Sequence, residues 1–305
     1  MERPGLSTTP ALAVAFSPVA RAGVLPGYLT RAWHRAQERF RSPRVRETLA
    51  RVLARFRPRA ENVGANVQAT EHEALGRDGV VFFPGFISAE TAASLRESLG
   101  KLECHDPWRK ALGNFRIEAA PTGTHVAEIT ETPTLLALQR LALDPRLIEV
   151  ASKYLGCKPY LDCVSAWWSI PGNDSPQEAE NFHRDNDSIR FLKFFLYLTD
   201  VNADCGPHKF VVGSQREARL LERRRYTDDE VVAAFGESRV LEIQGKAGDA
   251  FMEDTFGLHK GQLPRTGFRL LAQFRYSVTP TIFRSPIIVA GKAPGTGATS
   301  LLHSG

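Results

Sequence analysis

Cysteine is scarce in this sequence of 305 residues. The four cysteines form no C-x-x-C pair and no closely spaced set; they are Cys104, Cys157, Cys163 and Cys205. This excludes a disulfide framework and a cysteine-based zinc module, and it is typical of free thiols in a reducing compartment. We therefore expect a cytoplasmic protein.

Long apolar runs are also absent. No stretch approaches the roughly 18 apolar residues that a membrane-spanning helix needs, so we expect no membrane span. Residues 11–16, ALAVAF, resemble the apolar part of a short signal peptide, but Ser17 and Pro18 interrupt the run at once. This is too short for a typical secretory signal, and secretion is disfavoured.

The chain has no strong net charge of either sign and no internal repeat. Lys and Arg number 39 against 34 Asp and Glu, and much of the excess lies before residue 60. The 43% hydrophobic and 24% charged residues are typical of a globular protein with one large domain. The overall charge therefore says little about the chain after residue 60, and we expect no nucleic-acid partner.

The basic N-terminal region predicts an arm followed by helices. Residues 1–28 are rich in Pro, Gly and Ala, whereas residues 28–57 have the periodicity of two basic amphipathic helices with a break near Ser42 and Pro43. Such helices either bind a nucleic acid or anionic membrane, or pack on the domain with their arginines in water. The second alternative is favoured, because no aromatic residues are interleaved as in a dedicated binder.

The remaining chain predicts helices first and strands later. Before residue 160 we expect a helix, a strand at 80–83, a helix with Ser88 as its N-cap, and helices at 132–141 and 146–155. Six strands follow, at 160–170, 189–198, 209–212, 239–243, 250–252 and 268–277. One helical insert is expected at 215–235, where residues 227–230 form a capping box.

The strand pattern predicts a mainly β fold with flanking helices, of the α+β class. Because no helix alternates regularly with the strands, antiparallel sheets should close into a sandwich or barrel. We divide the chain into an N-terminal arm with its helices (1–60), a main domain (61–285) and a C-terminal tail (286–305).

A group of metal-ligand side chains precedes the second of these six strands. His183 and Asp185 lie two residues apart, so both side chains leave the same face of an extended segment. The best candidate for a third ligand is His259, in the segment 248–261, which has the pattern of a turn, a strand and a second turn. Two histidines and a carboxylate on one face of an octahedron suit a non-haem Fe(II) that keeps three positions open.

An arginine follows at a suitable distance for a cosubstrate. Arg269 lies ten residues beyond His259, at the start of the last long strand. A guanidinium there can bind a carboxylate in bidentate fashion, as anchoring a chelating 2-oxo acid requires. Arg265 competes for this role, but it follows Pro264 in a loop, and a residue held by a strand is better positioned.

With these motifs in place, the chain resembles the phytanoyl-CoA dioxygenase family of Fe(II)/2-oxoglutarate oxygenases. The resemblance spans about 75–278 and rests on DGVVFFPGFISAE (78–90), FHRD (182–185), residues 198–214, the GD at 248, HKG (259–261) and RLLAQFRYS (269–277). The chain departs from the usual pattern where Gly206-Pro207-His208 and Gly213-Ser214-Gln215 replace the common G-P-L and G-S-H.

The resemblance implies a fold, cofactors and an activity. The fold is a double-stranded β-helix, that is, a jelly roll or cupin-like barrel. Iron is held by His183, Asp185 and His259, and 2-oxoglutarate by Arg269, with O2 as the oxidant. The expected reaction is hydroxylation, or another oxidation, of a C–H bond in a small molecule, as in a biosynthetic pathway. Asp185 argues against the related halogenases, in which a small residue leaves room for halide.

Several neighbouring residues have open roles. Lys193 lies among apolar residues and needs a partner: it either reaches a carboxylate of 2-oxoglutarate or the substrate, or extends to water at a sheet edge. Arg275 shares a strand face with Arg269 and either lines the cavity or forms a surface salt bridge. Trp167 and Trp168 face opposite ways, so either one of them lines the pocket or both belong to the core. The polar loop 171–181 is either a lid or an ordinary surface loop.

Two alternative functions stay open at this point. A cupin-like barrel could bind metal or a ligand without oxygen chemistry, although Arg269 would then have no purpose. Nucleic-acid demethylation would need a basic and aromatic stripe, which the domain lacks. Lys193 and Arg275 hint at an acidic or amino-acid-like substrate, but the sequence gives neither its identity nor the oligomeric state.

Overall fold

The computed structural model describes residues 27–59, 69–130 and 132–280. Its α-helices are α1 (Gly27–Gln37), α2 (Pro43–Arg55), α3 (Ala69–Asp78), α4 (Ala89–Gly100), α5 (Thr132–Ala142), α6 (Pro145–Leu155) and α7 (Asp228–Phe235). Its strands are β1 (Val80–Phe83), β2 (Glu103–His105), β3 (Asn114–Arg116), β4 (Val126–Ile129), β5 (Tyr160–Ser169), β6 (Phe191–Tyr197), β7 (His208–Val211), β8 (Val240–Ile243), β9 (Ala250–Glu253), β10 (His259–Gly261) and β11 (Arg269–Ser277).

Within the described residues the strands form two antiparallel sheets. The large sheet has the order β1-β9-β6-β11-β5-β4-β2-β3, and the small one has the order β10-β7-β8. Strands distant in sequence therefore lie side by side, as β9, β6 and β11 do at the centre of the large sheet. This arrangement confirms the predicted antiparallel jelly roll with flanking helices.

The alternation of side chains along β11 explains where the core and the cavity lie. Leu270, Ala272 and Phe274 are fully buried in the main core, which also contains residues of α2, α4, α5 and α6. The helices thus cover one face of the large sheet. Leu271 on the opposite face packs with Phe210 of β7, between the two sheets. The other side chains on that face are free to line an interior cavity.

Most predicted elements occur near their expected positions, and the differences have local causes. Ser88 caps α4 by accepting the N–H of Thr91 at 3.2 Å, as predicted. The helix predicted at 215–235 begins only at Asp228, so the prediction is wrong for residues 215–227. There, backbone carbonyls of residues 217–220 accept hydrogen bonds from the Arg184 guanidinium. The sequence missed the short strands β2, β3, β4 and β10, which are three or four residues long.

The two N-terminal helices are present and pack on the domain. Ala50 and Ala54 of α2 belong to the main core. The expectation that the arginines lie in water is wrong for Arg46, which is 3% exposed. Its guanidinium donates to Asn186 Oδ1 at 2.6 Å and to the Ser188 carbonyl at 2.5 Å. Burial is possible because these oxygens replace water as hydrogen-bond acceptors.

The predicted N-terminal arm and C-terminal tail cannot be compared with the fold. The arm at 1–26 and the tail at 286–305 lie outside the described residues, and the division at residue 60 stays a prediction. Among the helices that the structure describes, each is too short or too polar to cross a bilayer.

Candidate active site

The three predicted metal ligands lie together at the edge of the small sheet. The backbone of His183 exchanges two hydrogen bonds of 3.0 Å with that of His259, which brings the two imidazoles side by side. Their ring centroids are 4.3 Å apart. Asp185 lies between them, with Oδ1 at 3.5 Å from His183 Nε2 and Oδ2 at 3.3 Å from His259 Nε2. One ligand atom from each residue lies within 4.8 Å of the other two.

The hydrogen bonds of both imidazoles suit metal binding. His183 Nδ1 lies 2.9 Å from the Asn181 carbonyl, and His259 Nδ1 lies 3.0 Å from the Gly257 carbonyl. A carbonyl oxygen only accepts, so each Nδ1 carries the proton and each Nε2 presents a lone pair. This second hydrogen bond orients metal-binding histidines in proteins generally. Two lone pairs and a carboxylate thus converge, a donor set that fits a divalent cation of the iron type.

Local electrostatics favour the metal-binding protonation states of His183 and Asp185, whereas they favour the protonated form of His259. Burial and the neighbouring His259 lower the pKa of His183 to about 4, so its imidazole is neutral at physiological pH. Burial alone would raise the pKa of Asp185, but the Lys193 ammonium and the His259 imidazole hold it well below its usual value. Burial also opposes the charged form of His259, yet Asp185 outweighs that effect and raises its pKa.

Lys193 is an interior residue that pairs with two carboxylates. It lies in β6, between β9 and β11, so the alternative of a lysine at a sheet edge is wrong. Its Nζ is 2.6 Å from Asp185 Oδ2 and 3.0 Å from Asp187 Oδ2. Asp187 also pairs with Arg275, which is 3% exposed, so a surface salt bridge is likewise wrong for that residue. Two cations and two carboxylates therefore balance one another beside the metal site.

Arg269 lines the same cavity. It is 4% exposed, and it donates to Ser169 Oγ at 2.9 Å and to the Gly206 carbonyl. Both partners are uncharged, so the guanidinium keeps its positive charge for another anion. The Arg265 side chain, in contrast, is 72% exposed and lies 3.8 Å from Asp204. The structure thus places Arg269 in the cavity and Arg265 in solvent.

Close approach to Arg269 depends on a glycine of the small sheet. A Cβ on Gly261 of β10 would lie 2.9 Å from Arg269 Nη2. Any larger residue would displace the guanidinium or fill the space beside it. This position therefore leaves room for a small anion next to Arg269.

A cavity of about 320 Å³ connects the metal ligands, Lys193 and Arg269. Its walls also include Glu128, Trp167, Glu180, Phe195, His208, Leu271 and Gln273. Trp167 faces the cavity whereas Trp168 lies in the main core, as strand alternation predicts.

The polar loop that follows β5 closes one side of the cavity. Ala179 and Glu180 line it, and Glu180 is anchored by a 2.7 Å hydrogen bond to His125 Nδ1. The loop therefore contributes to the cavity wall, and its role as a moving lid stays a prediction.

The sequence missed one buried pair in this cavity. His208 Nε2 lies 2.9 Å from Glu253 Oε1, and the His208 ring stacks on that of His259 with centroids 5.6 Å apart. Burial raises the pKa of Glu253 to about 8 and holds that of His208 well below its usual value. His208 stands at the departure from the G-P-L pattern, which was the available signal, whereas the predicted strand at 250–252 stopped one residue before Glu253.

Comparisons with known proteins agree with this fold. The sequence pattern of the family described as phytanoyl-CoA dioxygenase matches residues 75–267, ending two residues before Arg269. No curated protein matches the chain in sequence.

Several solved structures have a similar fold. EctD from S. alaskensis, solved with 2-oxoglutarate and 5-hydroxyectoine, is 20% identical over 72% of this chain and 82% of its own, with a TM-score of 0.51. SnoK from nogalamycin biosynthesis, a non-haem alpha-ketoglutarate-dependent carbocyclase, is 17% identical over 71% and 86%, with a TM-score of 0.50. EvdO2 from Micromonospora carbonacea var. aurantiaca is 16% identical over 70% and 91%, with a TM-score of 0.50.

Proposed function

The chain belongs to the phytanoyl-CoA dioxygenase family, and we propose that it is an Fe(II)- and 2-oxoglutarate-dependent oxygenase that oxidises a C–H bond of a small molecule. The observation that carries this proposal is a single cavity with a two-histidine, one-carboxylate site and a buried arginine on its walls. This combination matches what a chelating 2-oxo acid requires: a metal at one end and a guanidinium at the other.

Iron would be held by His183, Asp185 and His259. The carbonyls of Asn181 and Gly257 orient the two imidazoles, and the Lys193 ammonium keeps Asp185 ionised. These outer contacts mean that the donor atoms are oriented before the metal arrives, which supports tight binding.

2-Oxoglutarate would bind with its far carboxylate on Arg269. The guanidinium has five N–H donors, and Ser169 and Gly206 each accept one hydrogen bond from it, so donors are left for the carboxylate. The predicted contact between Lys193 and the cosubstrate stays a proposal. It is compatible with the ammonium's three donors, of which Asp185 and Asp187 use two.

An iron ion held by these residues would supply the oxidative chemistry, in which O2 and 2-oxoglutarate would give succinate and CO2 while one oxygen atom goes to the substrate. In a hydroxylation, R–H, O2 and 2-oxoglutarate thus become R–OH, succinate and CO2. The protein's part is to hold both reactants and limit water. Phe195, Leu271 and Trp167 give the cavity an apolar wall between Arg269 and the metal ligands, which supports that role.

Hydroxylation is the outcome that we propose among several for this fold. SnoK is described as a carbocyclase, so a similar barrel also serves ring formation. Asp185 provides an anionic ligand where a halogenase needs an open position, which argues against halogenation.

The class of substrate needs one correction. Lys193 and Arg275 no longer support an acidic substrate, because Lys193 pairs with Asp185 and Asp187, and Arg275 pairs with Asp187. The four cysteines are free thiols, which supports the proposed cytoplasmic location.

The alternative function is a cupin-like barrel that binds metal or a ligand without oxygenase activity. Arg269 distinguishes the two, since a metal scaffold has no need of a buried guanidinium with uncharged partners.

One experiment separates these functions. Fe(II) and 2-oxoglutarate are titrated anaerobically and followed by visible absorbance, and O2 is then admitted while succinate is measured. An oxygenase shows a saturable absorbance change that needs both components, and then succinate release. A barrel that binds Fe(II) but neither binds 2-oxoglutarate nor releases succinate would refute the proposal.

A further inference from the structure

We propose that the substrate carries a positively charged amine or quaternary ammonium group, which binds to Glu128 between the side chains of Trp108 and Trp167. This inference rests on the proposed function, because it assigns the part of the same cavity that the metal ligands and Arg269 do not occupy. All three residues line that cavity.

The cations of the cavity are already committed to other partners. Lys193 pairs with Asp185 and Asp187, and Arg269 is the proposed anchor of 2-oxoglutarate. An anionic substrate group would therefore find no uncommitted counter-ion among these residues. The remaining charged wall is acidic, and complementarity favours a cationic group there.

Glu128 is a carboxylate without a close partner. It lies in β4, a strand between β2 and β5, and its side chain points to the cavity side of the sheet. Within the described residues its carboxylate accepts no hydrogen bond, and the His105 imidazole Nε2 lies 3.7 Å from it. Burial raises its pKa, and the nearby His105 and Lys110 only partly oppose this effect. A half-buried carboxylate of this kind is stabilised by a cation that enters the cavity.

Two tryptophans line the cavity together with this carboxylate. Trp167 of β5 is directly opposite Glu128 in the strand register, so both side chains leave the same face of the sheet. Trp108 lies in the segment after β2; it also lines the cavity, and 38% of its surface is exposed. Aromatic faces attract cations, and a carboxylate among them is a typical site for alkylammonium groups.

The test uses a cation and its uncharged parent as probes. The full-length chain is loaded with Ni(II) and 2-oxoglutarate and titrated with 1-methylnicotinamide or with nicotinamide, while quenching of tryptophan fluorescence is recorded. We expect saturable binding of the cation that is at least tenfold tighter than that of nicotinamide. Glu128→Gln, which keeps the side-chain shape, should reduce this preference to less than twofold.

Two further variants make the result specific. Trp108→Leu should weaken binding of the cation at least threefold, and the variant should stay folded because the Trp108 side chain is partly exposed. Glu97→Gln, at an exposed glutamate of α4, should keep the full preference for the cation. Thermal melting of each variant, followed by circular dichroism, verifies that it is folded.

Three outcomes would overturn the inference: no saturable binding of either probe to the wild-type chain, equal binding of both, or a preference that survives in Glu128→Gln. Tighter binding of a neutral polyol such as sorbitol than of the cation would point to a hydroxylated substrate and would also overturn it. The Fe(II) and 2-oxoglutarate titration of the wild-type chain, run separately, shows whether the proposed function has failed instead.

Discussion

Replacement of Arg269 by alanine is the most informative single change, because it tests the proposed 2-oxoglutarate anchor separately from the candidate metal ligands. The guanidinium is buried and its protein partners, Ser169 and Gly206, are uncharged. We expect Arg269→Ala to raise the 2-oxoglutarate concentration needed for half-saturation sharply and to leave Fe(II) binding almost unchanged. The side chain contacts neither His183 nor His259, so the metal ligands should keep their positions.

The size of the effect follows from the hydrogen bonds that a carboxylate would lose. Bonds between charged partners contribute about 1.5–3 kcal/mol, and the guanidinium is only 4% exposed, so water cannot replace it easily. This corresponds to roughly a ten- to hundredfold loss of affinity, at about 1.4 kcal/mol for each factor of ten. Arg269→Lys should recover only part of it, because an ammonium cannot form the bidentate pair.

The assay is anaerobic titration of the Fe(II)-loaded protein with 2-oxoglutarate, followed by visible absorbance. Arg265→Ala is the matched control, because that arginine is four residues away and its side chain is 72% exposed. The control should change the affinity less than about threefold, as expected for a weak surface ion pair. Equal losses in the two variants would show that Arg269 is not the anchor.

Three other changes test the rest of the site and the fold. His183→Ala and His259→Ala should each abolish iron-dependent succinate formation while thermal melting of the metal-free protein shifts by only a few degrees; full turnover by either variant would disprove the metal assignment. Asp185→Gly should keep weak Fe(II) binding but lose most hydroxylation, measured by product analysis with and without chloride; unchanged hydroxylation would mean that another carboxylate is the ligand. Gly248→Ala should lower the free energy of unfolding by about 2 kcal/mol or more in urea titrations, because Gly248 has φ +102° and a Cβ there would press on the Ile87 carbonyl; a wild-type midpoint would contradict this.

Long strands with clear alternation could be predicted from the sequence, whereas short ones could not. β11 has nine residues whose alternate side chains enter the core and the cavity, so its pattern is visible in the sequence. β2, β3 and β10 have three residues each, too few for any periodicity to show. Their pairing depends on neighbours that are distant in sequence. For this reason the position of Glu128 in β4 also escaped prediction.

In the candidate site, too, contacts within a short segment could be predicted from the sequence, whereas contacts between distant segments could not. His183 and Asp185 are close in sequence, so local geometry predicts that they share a face. The partner of Lys193 was not predictable, because Asp187 approaches it through the course of an irregular loop. Likewise, the buried pair of His208 and Glu253 joins two different sheets, which no local pattern describes.

The contacts of α1 and α2 have a consequence for local unfolding near the metal ligands. Gln37 of α1 donates to the Asp187 carbonyl at 3.0 Å, and Arg46 of α2 binds both Asn186 and Ser188. The segment that follows Asp185 therefore cannot open while these helices stay docked. Opening of this segment and detachment of the two helices should therefore be one cooperative event, because both require the hydrogen bonds of Gln37 and Arg46 to break. A ligand that loosens α2 would thereby loosen the metal site.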